Sequence, residues 1–122
     1  MTGLRECVLV VDDEALVANL WCMILEDMKV EVCGTAPTAE AAIAMARTHR
    51  PKVVLMDVRL RGRLDGVDAA LAIHETVGSK VIFITGSRDP ATLARIELDH
   101  PAAVLFKPVS ERMLKATVRA AM

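Results

Sequence analysis

The sequence Val53-Val54-Leu55-Met56-Asp57 decides the fold. It is a short apolar run, rich in valine and without alternation, that ends in a single carboxylate. Such a run is typical of a strand that is buried on both faces of a parallel sheet. Asp57 is therefore predicted at the carboxyl end of a central strand, where open α/β sheets bind their ligands.

Three further apolar runs also end in polar residues, and these runs are residues 7–11, 81–84 and 102–106. The polar residues that follow them are Asp12 with Asp13, then Thr85, and finally Lys107 with Pro108. The carboxyl ends of parallel strands share one edge of a sheet. The pattern therefore predicts that three carboxylates, one hydroxyl and one ammonium group converge on one rim.

Helical patterns separate the strand-like runs along the whole chain. The predicted strands are residues 5–11, 29–33, 53–57, 81–85 and 102–106, and residues 34–38 are predicted as a turn. The predicted helices are residues 14–28, 39–49, 67–76, a short one from Pro90 that ends before His100, and one from Ser110 to the C-terminus. This alternation predicts an α/β fold with a doubly wound, five-stranded parallel sheet in flavodoxin-like order 2-1-3-4-5 and five flanking helices.

Capping residues support three of these helices. Thr38 and Ser110 stand where an N-cap is expected, and Asp89 precedes a proline at the first helical position. His74 is predicted to be a surface residue, because no second histidine or cysteine lies at a matching helical spacing.

The first helix is more apolar than one buried stripe requires. The stripe at helical spacing is predicted to comprise Leu16, Val17, Leu20, Ile24 and Met28. Further apolar residues extend it, namely Trp21, Cys22, Met23 and Leu25. Two interpretations stay open: a poorly charged surface on a small protein, or a surface that binds a partner.

Composition limits the classes of function. The chain has 122 residues, 53% of them hydrophobic, which fits one domain over residues 1–122. The net charge of −1 offers no basic field for nucleic acid, and no apolar segment is long enough to span a membrane. No secretion leader is recognisable, and the three cysteines lack metal-ligand spacing, so a cytoplasmic protein with reduced thiols is expected.

The predicted rim suits a metal ion and a phosphoryl group. Three ionised carboxylates side by side need a compensating charge, and all-oxygen ligands select Mg²⁺, for which Mn²⁺ can substitute. Lys107 adds a positive charge and Thr85 adds a hydroxyl donor. These groups would neutralise a phosphoryl group while Asp57 attacks it in line, giving an aspartyl phosphate.

On these residues the whole chain resembles the receiver domain of two-component response regulators. The resemblance implies that Asp57 receives a phosphoryl group from the phosphohistidine of a histidine kinase or phosphotransfer protein. It also implies that Asp12, Asp13, Asp57 and the backbone carbonyl of Arg59 bind Mg²⁺. Lys107 would pair with the phosphoryl group, Thr85 would report its presence, and the Lys107–Pro108 peptide bond would be cis.

Three features depart from the family pattern. The usual switch aromatic, three residues before the lysine, is Val104, and Phe106 on the same strand face is a candidate replacement. The loop after Asp57 carries Arg61 where many members have proline, and it is one residue longer before Gly66. Residues 83–86, Phe-Ile-Thr-Gly, resemble a stretch found in certain stand-alone receivers.

The resemblance leaves the partner open. The chain is either a single-domain regulator or a receiver that belongs to a larger protein with an output domain. A kinase or phosphotransfer surface is expected to dock on the apolar first helix, and a homodimer through that helix is the competing interpretation. Neither nucleic acid nor membrane is expected as a direct partner.

Three other functions fit these residues less well than a receiver does. A hydrolase with an aspartyl-phosphate intermediate usually needs a second acid near the nucleophile, and Arg59 stands two residues after Asp57. A degenerate receiver that serves only as an interaction module would not need all five site residues. A flavodoxin-like cofactor binder would need a glycine-rich phosphate loop after the first strand and aromatic residues to stack on a flavin.

Overall fold

The computed structural model describes residues 3–122, in which strands and helices alternate throughout. The strands are β1 (Arg5–Val11), β2 (Glu31–Ala36), β3 (Pro51–Asp57), β4 (Lys80–Thr85) and β5 (Ala103–Phe106). The helices are α1 (Ala15–Asp27), α2 (Ala39–His49), α3 (Gly66–Thr76), α4 (Pro90–Leu98) and α5 (Glu111–Ala121). In this range no helix has both the length and the apolar character to cross a bilayer.

The five strands form one parallel sheet in the order β2-β1-β3-β4-β5, which confirms the predicted topology. β3 lies at the centre, where Leu55 is in register with Val10 of β1 and with Ile82 of β4. Asp57 ends this central strand. The strand order reverses between β1 and β3, which is where such sheets open a crevice for a ligand.

Successive side chains of the central strands alternate between two hydrophobic cores. Leu9, Val54 and Phe83 pack against α2, α3 and α4 on one face of the sheet. Val8, Leu55 and Ile82 pack against α1 and α5 on the other face. Because β1, β3 and β4 are buried on both faces, their sequences read as continuous apolar runs.

The predicted caps are confirmed. Thr38 accepts a hydrogen bond from the Ala41 amide at 3.1 Å, and Ser110 accepts one from the Met113 amide at 3.1 Å. Asp89 caps α4, with Pro90 as its first residue. Such caps fix where a helix starts, because each satisfies a backbone N–H group that has no partner within the helix.

The predicted buried stripe of α1 is wrong at two of its positions. Leu16 and Leu20 are 84% and 49% exposed, whereas Trp21 is only 6% exposed. The buried positions of this helix are Ala18, Trp21, Ile24 and Leu25. The helix is therefore rotated relative to the prediction, so that the large indole packs into the core and a stripe of Leu16, Leu20 and Met23 faces outward.

Three strand limits also differ from the prediction by two residues or more. β2 begins at Glu31 and not at Lys29, because Lys29 has a left-handed backbone conformation, with φ of 63°, in the turn after α1. Residues 34–36 were predicted as a turn, but β2 continues to Ala36, with Gly34 in register with Leu9 of β1. The register of β1 and β2 shifts next to this pair, so glycine marks an irregularity within a strand. β3 begins at Pro51, two residues earlier than predicted.

Candidate functional site

Three carboxylates meet where β1 and β3 end. Asp12 and Asp13 directly follow β1, and Asp57 is the last residue of β3. Each offers an oxygen atom, and these oxygens lie within 4.8 Å of one another. Asp12 and Asp57 are 3% and 6% exposed, so two of the three acids are buried at the convergence.

The two remaining predicted side chains lie at the same rim. The Lys107 Nζ atom is 3.4 Å from Asp57 Oδ1, a partly buried ion pair that links β5 to β3. Thr85 is the last residue of β4 and is 2% exposed. Its hydroxyl accepts a hydrogen bond from the Ser87 amide at 3.0 Å. The Lys107–Pro108 peptide bond is cis, as the family resemblance implies.

A cavity of about 680 Å³ opens above these groups. Its walls include Asp13, Asp57, Arg59, Thr85 and Lys107. Asp12, next to Asp13, is buried, and its Oδ1 accepts a hydrogen bond from the Glu14 amide at 2.9 Å. All the residues predicted from the sequence for this site are therefore brought together.

Burial dominates the electrostatics of Asp57. Desolvation raises the pKa of this carboxyl to about 6, and the neighbouring charges of Asp12 and Asp13 push it in the same direction. Lys107 opposes the shift through its charge and its hydrogen bond. A single ammonium group therefore does not compensate the carboxylates, and the site has an affinity for additional positive charge.

The arrangement fits a hard divalent cation. Asp12 Oδ2 is buried and accepts no hydrogen bond from any residue in the described range 3–122. A buried carboxylate oxygen without a partner is costly, and a metal ion would satisfy it. The donors are all oxygen, the set that Mg²⁺ and Mn²⁺ prefer.

One residue that shapes the site, Gly66, was not predicted as a site residue. A Cβ atom on Gly66 would lie 2.0 Å from the backbone oxygen of Asp57. The Gly66 amide also donates to the Val58 carbonyl at 2.7 Å, which fastens the loop after β3 to the start of α3. A glycine that opens a helix after a loop is the only available signal, and it reads equally well as an ordinary turn residue.

Three arginines near the rim make contacts that depend on the tertiary fold. Arg61 Nε lies 3.6 Å from Asp13 Oδ2, and Arg88 stacks 4.1 Å above the ring of Phe106. Arg95 of α4 forms a bidentate pair with Asp65, which caps α3, at 2.7 and 3.1 Å. These contacts join segments far apart in the chain, so local sequence patterns do not reveal them.

The response regulator receiver domain profile matches residues 8–119. A protein-glutamate methylesterase/protein-glutamine glutaminase of Nitrosospira multiformis is 40% identical over 85 residues, covering 69% of this chain and 24% of that protein. The transcriptional regulatory protein PdtaR of Mycobacterium tuberculosis is 31% identical over 103 residues, covering 84% of this chain and 50% of that protein.

Among solved structures, the signal receiver domain of a modulated diguanylate cyclase from Desulfovibrio desulfuricans superposes with a TM-score of 0.88. It is 34% identical, and the match covers 93% of this chain and 90% of that domain. This chain spans a quarter to a half of the length of the two curated relatives, so the activities in their names belong to those proteins. The profile match and the shared fold show that this chain belongs to the response regulator receiver domain family, the phosphoacceptor signalling domains of two-component systems.

Proposed function

We propose that Asp57 is the phosphoacceptor and that its donor is the phosphohistidine of a histidine kinase or histidine phosphotransfer protein. The observation that carries this proposal is the position of Asp57 at the end of the central strand, beside Lys107 Nζ at 3.4 Å. Two further carboxylates lie within reach of the same metal position. A nucleophile, a fixed cation and a cation site around one open cavity are the parts that phosphoryl transfer requires.

Asp12, Asp13, Asp57 and the backbone carbonyl of Arg59 are the groups proposed to hold Mg²⁺ or Mn²⁺. When bound, the ion neutralises charge on the phosphoryl oxygens and on the carboxylates around it. The orphaned Asp12 Oδ2 supports this assignment, because its burial is otherwise uncompensated. Arg61 is 82% exposed and pairs only loosely with Asp13, so it can withdraw from that carboxylate.

The side chains of the rim have separate roles in the transfer. A carboxylate oxygen of Asp57 forms the new bond to phosphorus as the bond from phosphorus to the histidine nitrogen breaks, and the imidazole keeps that electron pair. Lys107 pairs with the phosphoryl oxygens, and the Thr85 hydroxyl donates to one of them after leaving its contact with Ser87. On the same groups the domain would promote its own Mg²⁺-dependent phosphorylation and dephosphorylation.

Intact-mass spectrometry after incubation with acetyl phosphate and Mg²⁺ tests the phosphoacceptor. We expect one added phosphoryl group, which is absent without Mg²⁺ and absent in Asp57→Asn. An adduct that persists in Asp57→Asn would overturn the assignment. If no adduct accumulates, beryllofluoride binding decides: binding indicates fast hydrolysis at an intact site, and failure to bind favours the interaction module.

Phe106 is proposed to transmit the phosphorylation state in place of the missing aromatic at Val104. Phe106 is partly buried and its ring carries the Arg88 guanidinium 4.1 Å above it. Phe106 is also in register with Thr85 of the adjacent strand. Movement of Thr85 toward a phosphoryl group would disturb this stacked pair, in which Phe106 ends β5 and Arg88 lies in the loop that leads to α4.

Replacement of the ring tests this role. Phe106→Ala is expected to keep phosphorylation by acetyl phosphate and to lose the phosphorylation-dependent change in partner affinity, measured by calorimetry with and without beryllofluoride. Arg88→Ala should weaken the same change, because a cation–π contact contributes roughly 0.5–1 kcal/mol at an exposed site. Unchanged coupling in Phe106→Ala would show that the ring has no such role.

The exposed stripe of Leu16, Leu20 and Met23 on α1 is proposed as the docking surface for the phosphodonor protein. This helix follows Asp12 and Asp13 directly, so a partner seated on it is next to the phosphoacceptor. A downstream protein partner or a covalently linked output domain would then read the phosphorylated state.

A further inference from the structure

An ion pair closes one wall of the cavity above Asp57. Asp65, in the loop after β3, and Thr92 of α4 both line this cavity, and Arg95 lies one helical turn after Thr92. One guanidinium nitrogen of Arg95 is 2.7 Å from Asp65 Oδ2, and the other is 3.1 Å from Asp65 Oδ1. The pair therefore fastens α4 to the start of α3 beside the cavity. We call it the Arg95–Asp65 clasp.

Asp65 also fixes the first turn of α3. Its Oδ1 accepts hydrogen bonds from the Val67 and Asp68 amides, each at 3.0 Å, and the Asp65 amide donates to Asp68 Oδ2 at 2.9 Å. Arg95 reaches Asp68 as well, with one nitrogen 3.3 Å from Oδ1. One guanidinium group thus holds both carboxylates of the capping box. A bidentate pair within such a network has a defined geometry, unlike a single exposed ion pair.

The first turn of α3 lies directly against the end of β3. Gly66, next to Asp65, donates from its amide to the Val58 carbonyl at 2.7 Å, and it leaves no room for a side chain beside the Asp57 carbonyl. Val58 lies between Asp57 and Arg59, and the backbone carbonyl of Arg59 is one of the groups proposed to hold Mg²⁺. A movement of Asp65 would therefore pass through Gly66 to two of the proposed metal ligands.

The other end of the clasp is connected to Thr85. The Ser87 amide donates to the Thr85 hydroxyl at 3.0 Å, and Ser87 Oγ accepts a hydrogen bond from the Asp89 amide at 3.1 Å. Asp89 in turn caps α4 by accepting a hydrogen bond from the Thr92 amide at 3.2 Å. Asp57 and Thr85 end the adjacent strands β3 and β4. The contacts therefore form a closed ring around the cavity, within which the clasp joins α3 to α4.

We infer that Arg95 is a positioning residue, which holds the loop after β3 in the geometry that binds Mg²⁺. This inference rests on the proposed function, because the metal site that Arg95 positions is the proposed one. Without the clasp, local contacts alone would hold the first turn of α3 and the loop before it. Loss of a partner that contacts a metal ligand directly costs about 10–100-fold in affinity, and Arg95 acts through Asp65 and Gly66, so its loss should cost about 3–10-fold.

A Mg²⁺ titration followed by backbone amide signals in nuclear magnetic resonance spectra tests this role on the folded protein. Arg95→Ala should bind Mg²⁺ about 3–10-fold more weakly than the wild type. Arg95→Lys should fall between the two, because lysine keeps the positive charge but cannot form the fork. Arg63→Ala is the matched control for charge, since it removes an exposed arginine from the loop after β3. It should bind Mg²⁺ at least as tightly as the wild type.

Hydrogen exchange in the metal-free protein tests the clasp itself. Ile96 is fully buried and anchors α4 in the core, so Arg95→Ala should keep the fold. The Gly66 amide should exchange faster in Arg95→Ala than in the wild type, because the turn that holds it is no longer fastened to α4. Exchange in β1 should be unchanged, which distinguishes a local loosening from a loss of global stability.

Several results would overturn the inference. They are an unchanged Gly66 exchange rate in Arg95→Ala, an exchange rate that rises equally in β1, and an unchanged Mg²⁺ affinity. A loss of Mg²⁺ affinity in Arg63→Ala as large as that in Arg95→Ala would assign the effect to charge, and would also overturn it. A wild type that binds no Mg²⁺ at the rim would overturn the proposed metal site, and with it this role of Arg95.

Discussion

Asp57 is buried among like charges, and this makes the stability of the metal-free domain depend on pH. Its pKa of about 6 lies above the ordinary aspartate pKa of 3.8, so the folded state holds the proton more tightly than the unfolded chain does. This contribution to stability is present below pH ~4 and is lost as pH rises toward ~6. A shift of this size corresponds to about 3 kcal/mol.

In Asp57→Asn this part of the pH dependence should vanish. Denaturant unfolding in a metal chelator should show the wild type losing up to about 3 kcal/mol relative to the variant between pH ~4 and ~7. The difference between the two proteins is the diagnostic quantity, because other carboxyl groups titrate in both. If the free energy of unfolding changed with pH in the same way in the wild type and the variant, the pKa of Asp57 would not be raised by burial and by repulsion from Asp12 and Asp13.

Gly66 offers a second test at the scale of one residue. In an unstrained helix, Gly→Ala stabilises a protein by about 0.4–1 kcal/mol. Here the new methyl group would lie 2.0 Å from the Asp57 carbonyl oxygen, so Gly66→Ala should instead destabilise by roughly 1–3 kcal/mol. Gly3→Ala is the matched control, because a Cβ there meets nothing within 4 Å. A gain in stability for Gly66→Ala in chemical denaturation would refute the close packing.

At the scale of elements, α1 shows that the spacing of apolar residues can predict the ends of a helix without predicting its buried face. Its ends were predicted to within one residue, residues 14–28 against Ala15–Asp27. Its buried face was not, because a helix with apolar residues around most of its circumference satisfies the 3.6-residue period in more than one orientation. Packing against the sheet decided the orientation in favour of Trp21, and that interaction is not local.

The rotated α1 leads to a prediction that separates stability from docking. Met23 is 66% exposed, so Met23→Glu should change the free energy of unfolding by less than about 0.5 kcal/mol. Trp21→Ala should cost about 3–5 kcal/mol. Met23→Glu should slow phosphotransfer from a histidine phosphodonor protein about tenfold, a loss of ~1.4 kcal/mol, without affecting transfer from acetyl phosphate.

Leu71→Glu provides the matched control, since Leu71 is 48% exposed on α3 at the opposite face of the sheet. It should leave both phosphodonors unaffected. Equal slowing with both donors in Met23→Glu would argue against docking on α1. A wild-type dimer in sedimentation experiments that Met23→Glu dissociates would instead assign the stripe to a second copy of the chain.

For the whole molecule, the sequence predicted the topology better than the details. Four apolar runs with polar ends, in alternation with helices, are enough to determine a parallel sheet, and the handedness of the crossovers restricts its strand order. The strand order alone predicted that the polar residues at the strand ends meet at one rim of the sheet. By contrast, the proximity of His74 to His100 and of Arg95 to Asp65 depends on packing between elements, and neither pair has a local signature.

The shared sheet predicts that the two cores unfold together. Trp21, the chain's single tryptophan, reports on the core beside α1 and α5, whereas far-UV circular dichroism reports on all the helices. Because β1, β3 and β4 contribute alternate residues to both cores, the two signals should give the same denaturation midpoint. Mg²⁺ at about 100 times its dissociation constant should raise the free energy of unfolding seen by both signals by roughly 2.7 kcal/mol. In Asp57→Asn most of this gain in the free energy of unfolding should be lost. A Mg²⁺ effect on only one of the two signals would show that the two cores unfold separately.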